Sequence, residues 1–144
     1  MFSMLRLRRS RGPVDLALGM SGVRLGERLL QVGPGDPAFF AAAARKTGLT
    51  GQASAVVESA ADCAALERAA ARDGVLVEVA AVDRGTWPQP EASFDLAVID
   101  GNYVLNLDAG WQSAVGAELR RVVRGGGRVL AIHRRPRGWG GFFG

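Results

Sequence analysis

The chain has 144 residues, 48% of them hydrophobic and 22% charged, which is enough for one domain with a core of its own and too little for a second. No window approaches the ~20 apolar residues that span a bilayer, no apolar stretch follows the basic N-terminus as in a secretory signal, and a single cysteine, Cys63, excludes an internal disulfide and a thiolate zinc cluster, so the expected location is cytoplasmic. The net charge of +4 invites a nucleic-acid reading, but Arg6, Arg8, Arg9, Arg11, Arg134, Arg135 and Arg137 lie in the two ends, and residues 12–133 hold 11 basic against 14 acidic side chains; the ends read as solubilising tails, and nucleic acid is not an expected partner.

Residues 1–13 form a basic tail closed by Gly12-Pro13. A domain over residues 14–133 follows, and residues 134–144 are a second basic tail rich in glycine and aromatics. Val14 to Met20 suits a short helix. Leu29 to Val32 is a short continuous apolar run, as a strand buried on both faces requires. It leads into Gly33-Pro34-Gly35-Asp36-Pro37. Pro37 fits a first helical turn, Ala38 to Lys46 a helix, and Gly48 its cap. Ala53 to Val57 reads as a second strand. Ala60 to Arg72 reads as a second long helix, with Leu66 inward, Glu67, Arg68 and Arg72 in water, and Cys63 as apolar filler. Val75 to Val82 is the third predicted strand, and residues 83–93 form a loop. Phe94 to Ile99 is the fourth strand, and Leu107 to Val123 a helix weakened by Gly110 and Gly116. Gly125-Gly126-Gly127 reads as a break, with the fifth strand at Arg128 to His133. Strands alternating with helices predict a three-layer α/β/α, Rossmann-like domain with a mostly parallel sheet of about five strands.

The stretch from Gly33 to Ala38 satisfies G-x-G-x-x-A. Glycines at a strand-to-helix turn let backbone approach a nucleotide-like ligand closely. The alternative is a tight turn with no ligand. Glu58 ends the second strand 23 residues past Gly35, where a carboxylate can accept hydrogen bonds from both hydroxyls of a ribose. It could equally be a solvated residue opening the next helix beside Ser59. To this point an S-adenosylmethionine protein and a nicotinamide protein fit alike.

The second half separates them. Asp83 follows the third strand. Ser93-Phe94-Asp95-Leu96-Ala97-Val98 and Leu119-Arg120-Arg121-Val122-Val123-Arg124-Gly125-Gly126-Gly127-Arg128-Val129-Leu130 come later. In this order they resemble the class I S-adenosylmethionine-dependent methyltransferases, with their S-F-D-L-V and L-R-R-V-L-K-P-G-G-R-L elements. The resemblance covers about residues 14–133. It implies S-adenosyl-L-methionine as cofactor and methyl transfer to an acceptor, expected to be a small molecule. It places Gly33 and Gly35 beside the methionine part of the cofactor, Glu58 at the ribose, and Asp83 at the adenine amino group with Arg84 beside the ring, and Pro34, Asp36, Ser59 and Asp100 complete the expected cofactor-binding set. Asp83 could instead cap its loop, and Trp87 could cover the adenine or simply fill the loop. Asp95 reads as structural. Asp100 ends the fourth strand, on the side where open α/β sheets place ligands. Its setting is similar to that of a magnesium-binding Asp in metal-dependent O-methyltransferases, but the companion acids are absent, so no metal is assigned. His133 reads as an ordinary histidine rather than a base. No Asn-Pro-Pro-Tyr element and no cysteine pair for base methylation exists, and catalytic residues stay unassigned.

Two departures stand out. The family usually carries an acid where Gln31 stands, and Pro37 replaces its third glycine. A degenerate, non-catalytic binding or assembly module is therefore the second reading, and a nicotinamide-binding protein the third. The family's C-terminal hairpin is also missing, so the chain reads as a minimal version of the fold or an excerpt of a longer protein. The exposed side of the fourth strand then lacks its usual neighbour, and a second copy or a partner chain is expected to cover a bare sheet edge. Sizing at micromolar concentration should show an assembly; a stable monomer would refute that expectation.

Overall fold

The computed structural model describes residues 12–83 and 86–133, and both basic tails fall almost wholly outside them. Chain order is α1 (Pro13–Ser21), β1 (Arg28–Val32), α2 (Pro37–Thr47), β2 (Gln52–Val57), α3 (Ala60–Arg72), β3 (Glu78–Ala81), β4 (Phe94–Asp100), α4 (Gly101–Leu105), α5 (Ala109–Val122) and β5 (Val123–Ile132). The five strands form one sheet in the order β3-β2-β1-β4-β5, and every pairing is parallel. The order reverses between β1 and β4, which opens a crevice at the C-terminal ends of the strands.

The period-two geometry of the strands builds two cores. Leu29, Ala55, Val57, Leu96 and Val98 point to one face and pack with Phe39, Phe40, Ala43, Ala44 and Leu66, with α1 residues Val14, Ala17 and Leu18 at the margin. Leu30, Val32, Val56 and Ala97 point to the other and pack with Val115, Leu119, Val122, Trp87 and Phe94. This is the expected α/β/α sandwich. Cys63 is filler, as read: its thiol contacts the Val79 carbonyl, and loss of hydration, followed by the nearby Glu67 carboxylate, raises its pKa.

Every helix after α1 starts where a side-chain oxygen meets exposed N–H groups. Asp36, Ser59 and Asp108 cap α2, α3 and α5 through the N–H groups of Ala38, Asp62 and Trp111. Three expectations shift and one element is added. The third strand begins at Glu78, not Val75, because the Val75 N–H is spent closing α3 on the Ala70 carbonyl. A one-turn helix, α4, occupies residues between β4 and α5 to which the sequence assigns no element. Gly125 to Gly127 do not break the chain but form a bulge inside β5, where Phe94 pairs with Val123 and Leu96 with Arg128. The fourth strand is not an edge. β1 and β5 flank it, and β3 and β5 are the outer strands of the described sheet.

Arginines clamp the N-terminal ends of the strands. Asp95 accepts from the backbone N–H and guanidinium of Arg28 and from Arg124 Nε at 2.6 Å. Arg128 bonds Glu27 through both Nη atoms at 2.9 and 3.0 Å, a bidentate geometry. Arg121 holds Glu118 and reaches the carbonyls of Trp87 and Gln89, pinning the loop before β4. The side-chain bond from Arg28 is the largest of the effects that hold the Asp95 carboxyl far below the usual carboxylate range; burial partly opposes it, and the Arg28 N–H and Arg124 add to it.

Because the folded-state pKa is depressed, Asp95 stabilises the fold above the ordinary Asp value of ~3.9, and that contribution fades as pH falls below it. Asp95→Asn should cost about 2 kcal/mol at neutral pH. In urea denaturation the gap between wild type and variant should close as pH drops below about 4; a gap independent of pH would contradict this account.

Candidate functional site

The C-terminal end of β1 supplies the glycine loop. Gly33 has φ +89° and Gly35 φ +52°, where a side chain is strained. A Cβ on Gly33 would also lie 2.9 Å from Tyr103 Cδ2 and 3.0 Å from Asp100 Cβ. Both glycines are thus fixed by conformation, and Gly33 also by crowding.

The loop is gripped by two side chains. Gln31 is 2% exposed. Its Nε2 donates to the Gly33 and Pro34 carbonyls at 3.1 and 2.9 Å. Those two acceptors fix the amide's orientation and leave Oε1 buried without a hydrogen-bond partner. From β4, Asp100 accepts the Gly35 N–H on Oδ2 at 2.9 Å, and Oδ1 accepts from the N–H groups of Asn102 and Tyr103. Asp100 therefore caps α4 and ties it to the glycine loop in one residue. Its oxygens face backbone donors. Among the described residues no group of three His, Cys, Asp or Glu is placed to hold a metal ion.

Glu58, Val82, Asp83 and Trp111 line an open cleft of about 380 Å³. Pro34 and Asp36 lie in the turn at the head of α2, where one Asp36 oxygen takes the Ala38 N–H. Ser59, beyond Glu58, accepts the Asp62 N–H. Arg84 lies outside the described residues. Trp87 does not cover the cleft: it is 5% exposed and belongs to the core. Among the described residues the aromatic that lines the cleft is Trp111 from α5, and its position just behind the Asp108 cap of a helix is the signal the sequence holds for it. Tyr103 carries no such signal, yet its hydroxyl donates to the Glu58 carboxylate. His133 lies against Gly101, where its ring leaves no room for a Cβ.

No protein-family model matches the sequence, and no curated protein does either. Solved structures match the fold. A SAM-dependent methyltransferase from Aquifex aeolicus aligns over 83% of this chain and 66% of its own, with 18% identity and a TM-score of 0.65. A protein from Pyrococcus horikoshii aligns over 88% and 57%, with 20% identity and a TM-score of 0.68. Geranyl diphosphate C-methyltransferase from Streptomyces coelicolor, solved with S-adenosyl-L-homocysteine, aligns over 83% and 42%, with 18% identity and a TM-score of 0.66. The architecture is that of SAM-dependent methyltransferase structures, and the chain spans from about two-fifths to two-thirds of the lengths of these three.

Gln31 marks the sharpest local departure. A carboxylate there would face two carbonyl oxygens in place of the amide that donates to them. Gln31→Glu should lose about 2–4 kcal/mol of stability at neutral pH, measured by chemical denaturation; an unchanged midpoint would show that the amide does not hold the loop.

Proposed function

We propose that this cleft binds S-adenosyl-L-methionine and that the chain transfers its methyl group to a small-molecule acceptor. The observation that carries the reading is the convergence of three separate strand ends on one crevice. The glycine loop follows β1, Glu58 follows β2 and Asp83 follows β3, with Glu58 and Asp83 lining the same cleft. The residues suit such a ligand chemically. Glu58 can accept from ribose hydroxyls, Asp83 can accept from an adenine amino group, and Trp111 offers an aromatic wall. The buried Oε1 of Gln31 lacks a donor, and the ammonium of an amino-acid moiety is a donor of the right kind.

When bound, the cofactor supplies an electrophilic methyl group on a sulfonium. The chain's own contribution is positional. Glu58 and Asp83 fix the nucleoside end, the Asp100-held glycine loop fixes the other, and both sit on the ends of rigid strands. Orientation alone can supply a large share of rate in a displacement of this type, so no side chain is assigned as a general base.

A second reading, a non-catalytic binding or assembly module, draws on Gln31 in place of an acid and on Tyr103 already bonded to Glu58. Calorimetric titration separates the readings. S-adenosyl-L-homocysteine should bind saturably, and Glu58→Ala should weaken it about tenfold or more. Saturable NAD binding in its place would favour a nicotinamide site. Binding of neither would leave the assembly module.

A further inference from the structure

We propose that Tyr103 is a built-in occupant of the cleft, a gate residue that a nucleoside ligand must displace; this rests on the cofactor reading above. Three contacts carry the inference. The Tyr103 hydroxyl donates to the carboxylate of Glu58. Its ring lies so close over the glycine loop that Cγ and Cδ2 would stand 3.0 and 2.9 Å from a Cβ on Gly33. Its backbone N–H sits on Asp100, the residue that also holds the Gly35 N–H. The side chain therefore starts beyond β4, passes the end of β1 and reaches the end of β2. It crosses the crevice at the point where the strand order reverses.

The chemistry is competitive. A phenol donating to Glu58 offers that carboxylate what a ribose hydroxyl would offer. Glu58 can serve the sugar fully only after the phenol has turned away. The mount is suited to such movement. α4 is five residues long, about one helical turn, and a single turn has little stability of its own. Its end is open to solvent, with Leu105 68% exposed. A site whose competent form is a minority binds with an apparent affinity reduced by that fraction. The gate would thus raise the ligand concentration needed for loading and keep the Glu58 carboxylate partnered at other times.

The test uses the fact that Tyr103 is the chain's single tyrosine. Protein grown on 3-fluorotyrosine carries one fluorine reporter, at the gate. Without ligand, its resonance should shift in Glu58→Gln; no shift would overturn the contact itself, whatever the cofactor. With S-adenosyl-L-homocysteine the wild-type resonance should move saturably. Tyr103→Phe, which keeps the ring and drops the hydroxyl, and Tyr103→Ala should each bind the ligand more tightly, by about tenfold for the loss of one charge-assisted hydrogen bond. Binding by the variants alone would also support the gate. If wild type binds but both variants bind equally or more weakly, or the resonance stays fixed at saturation, the gate is refuted and the cofactor reading stands. If neither wild type nor variant binds, the cofactor reading falls and the gate falls with it.

Discussion

The buried carboxylate of Asp100 is the joint on which the C-terminal end of the sheet depends. It is 5% exposed and receives backbone N–H groups from both sides of the crevice, Gly35 after β1 and Asn102 and Tyr103 after β4. A buried charge needs such donors, and hydrogen bonds to a charge are the stronger kind. Pairing between parallel strands aligns the strands but leaves the loops beyond their C-terminal ends free. One acid at the end of β4 limits that freedom, tying the glycine loop to the first residues of the short helix α4 while the far end of that helix, at Leu105, stays open to solvent.

The opposite end of the sheet is secured differently. There the arginines Arg121, Arg124 and Arg128 each have an assignment: Arg121 to Glu118 and the 86–90 loop, Arg124 to Asp95, Arg128 to Glu27. The glycines between the last two allow the bulge that brings Arg124 onto Asp95. Gly127 comes so near the Asp95 carbonyl that a Cβ would sit 2.9 Å from it. The N-terminal end is thus an ionic frame, and the C-terminal end is left to backbone, glycine and a few polar side chains. That division leaves the C-terminal end open while the fold is held elsewhere.

Legibility in the sequence divides along the same line between local and long-range contacts. Helix α3 was legible to the residue because Ser59 caps it and Asp73-Gly74 ends it, both local signals. The buried strands β1 and β4 were legible as apolar runs between turn residues. The long-range facts were not. Tyr103 meets Glu58 across 45 residues, and nothing in either neighbourhood announces it. The glycine triplet resembled a break because three glycines lower strand propensity, yet the register shift beside Leu96 needed that freedom. Gln31 looked like a weakened version of an acid, whereas its amide has a task an acid could not perform, donating to two loop carbonyls.

The Gln31 amide is one of three supports that shape the glycine loop. The Gly33 N–H lies on the Val56 carbonyl at 2.9 Å, the Gly33 and Pro34 carbonyls on Gln31, and the Gly35 N–H on Asp100. Sheet, strand side chain and neighbouring strand each take part of it, so the turn holds its shape without a ligand. A preformed loop lowers the ordering cost of binding. The opposing cost is concentrated in the Tyr103 contact, whereas the orphaned Oε1 of Gln31 favours a ligand that brings a donor, because its desolvation has already been incurred by folding. A ligand with an ammonium at one end and a ribose at the other would relieve the second as it displaces the first, and a ligand with only one of these groups would not.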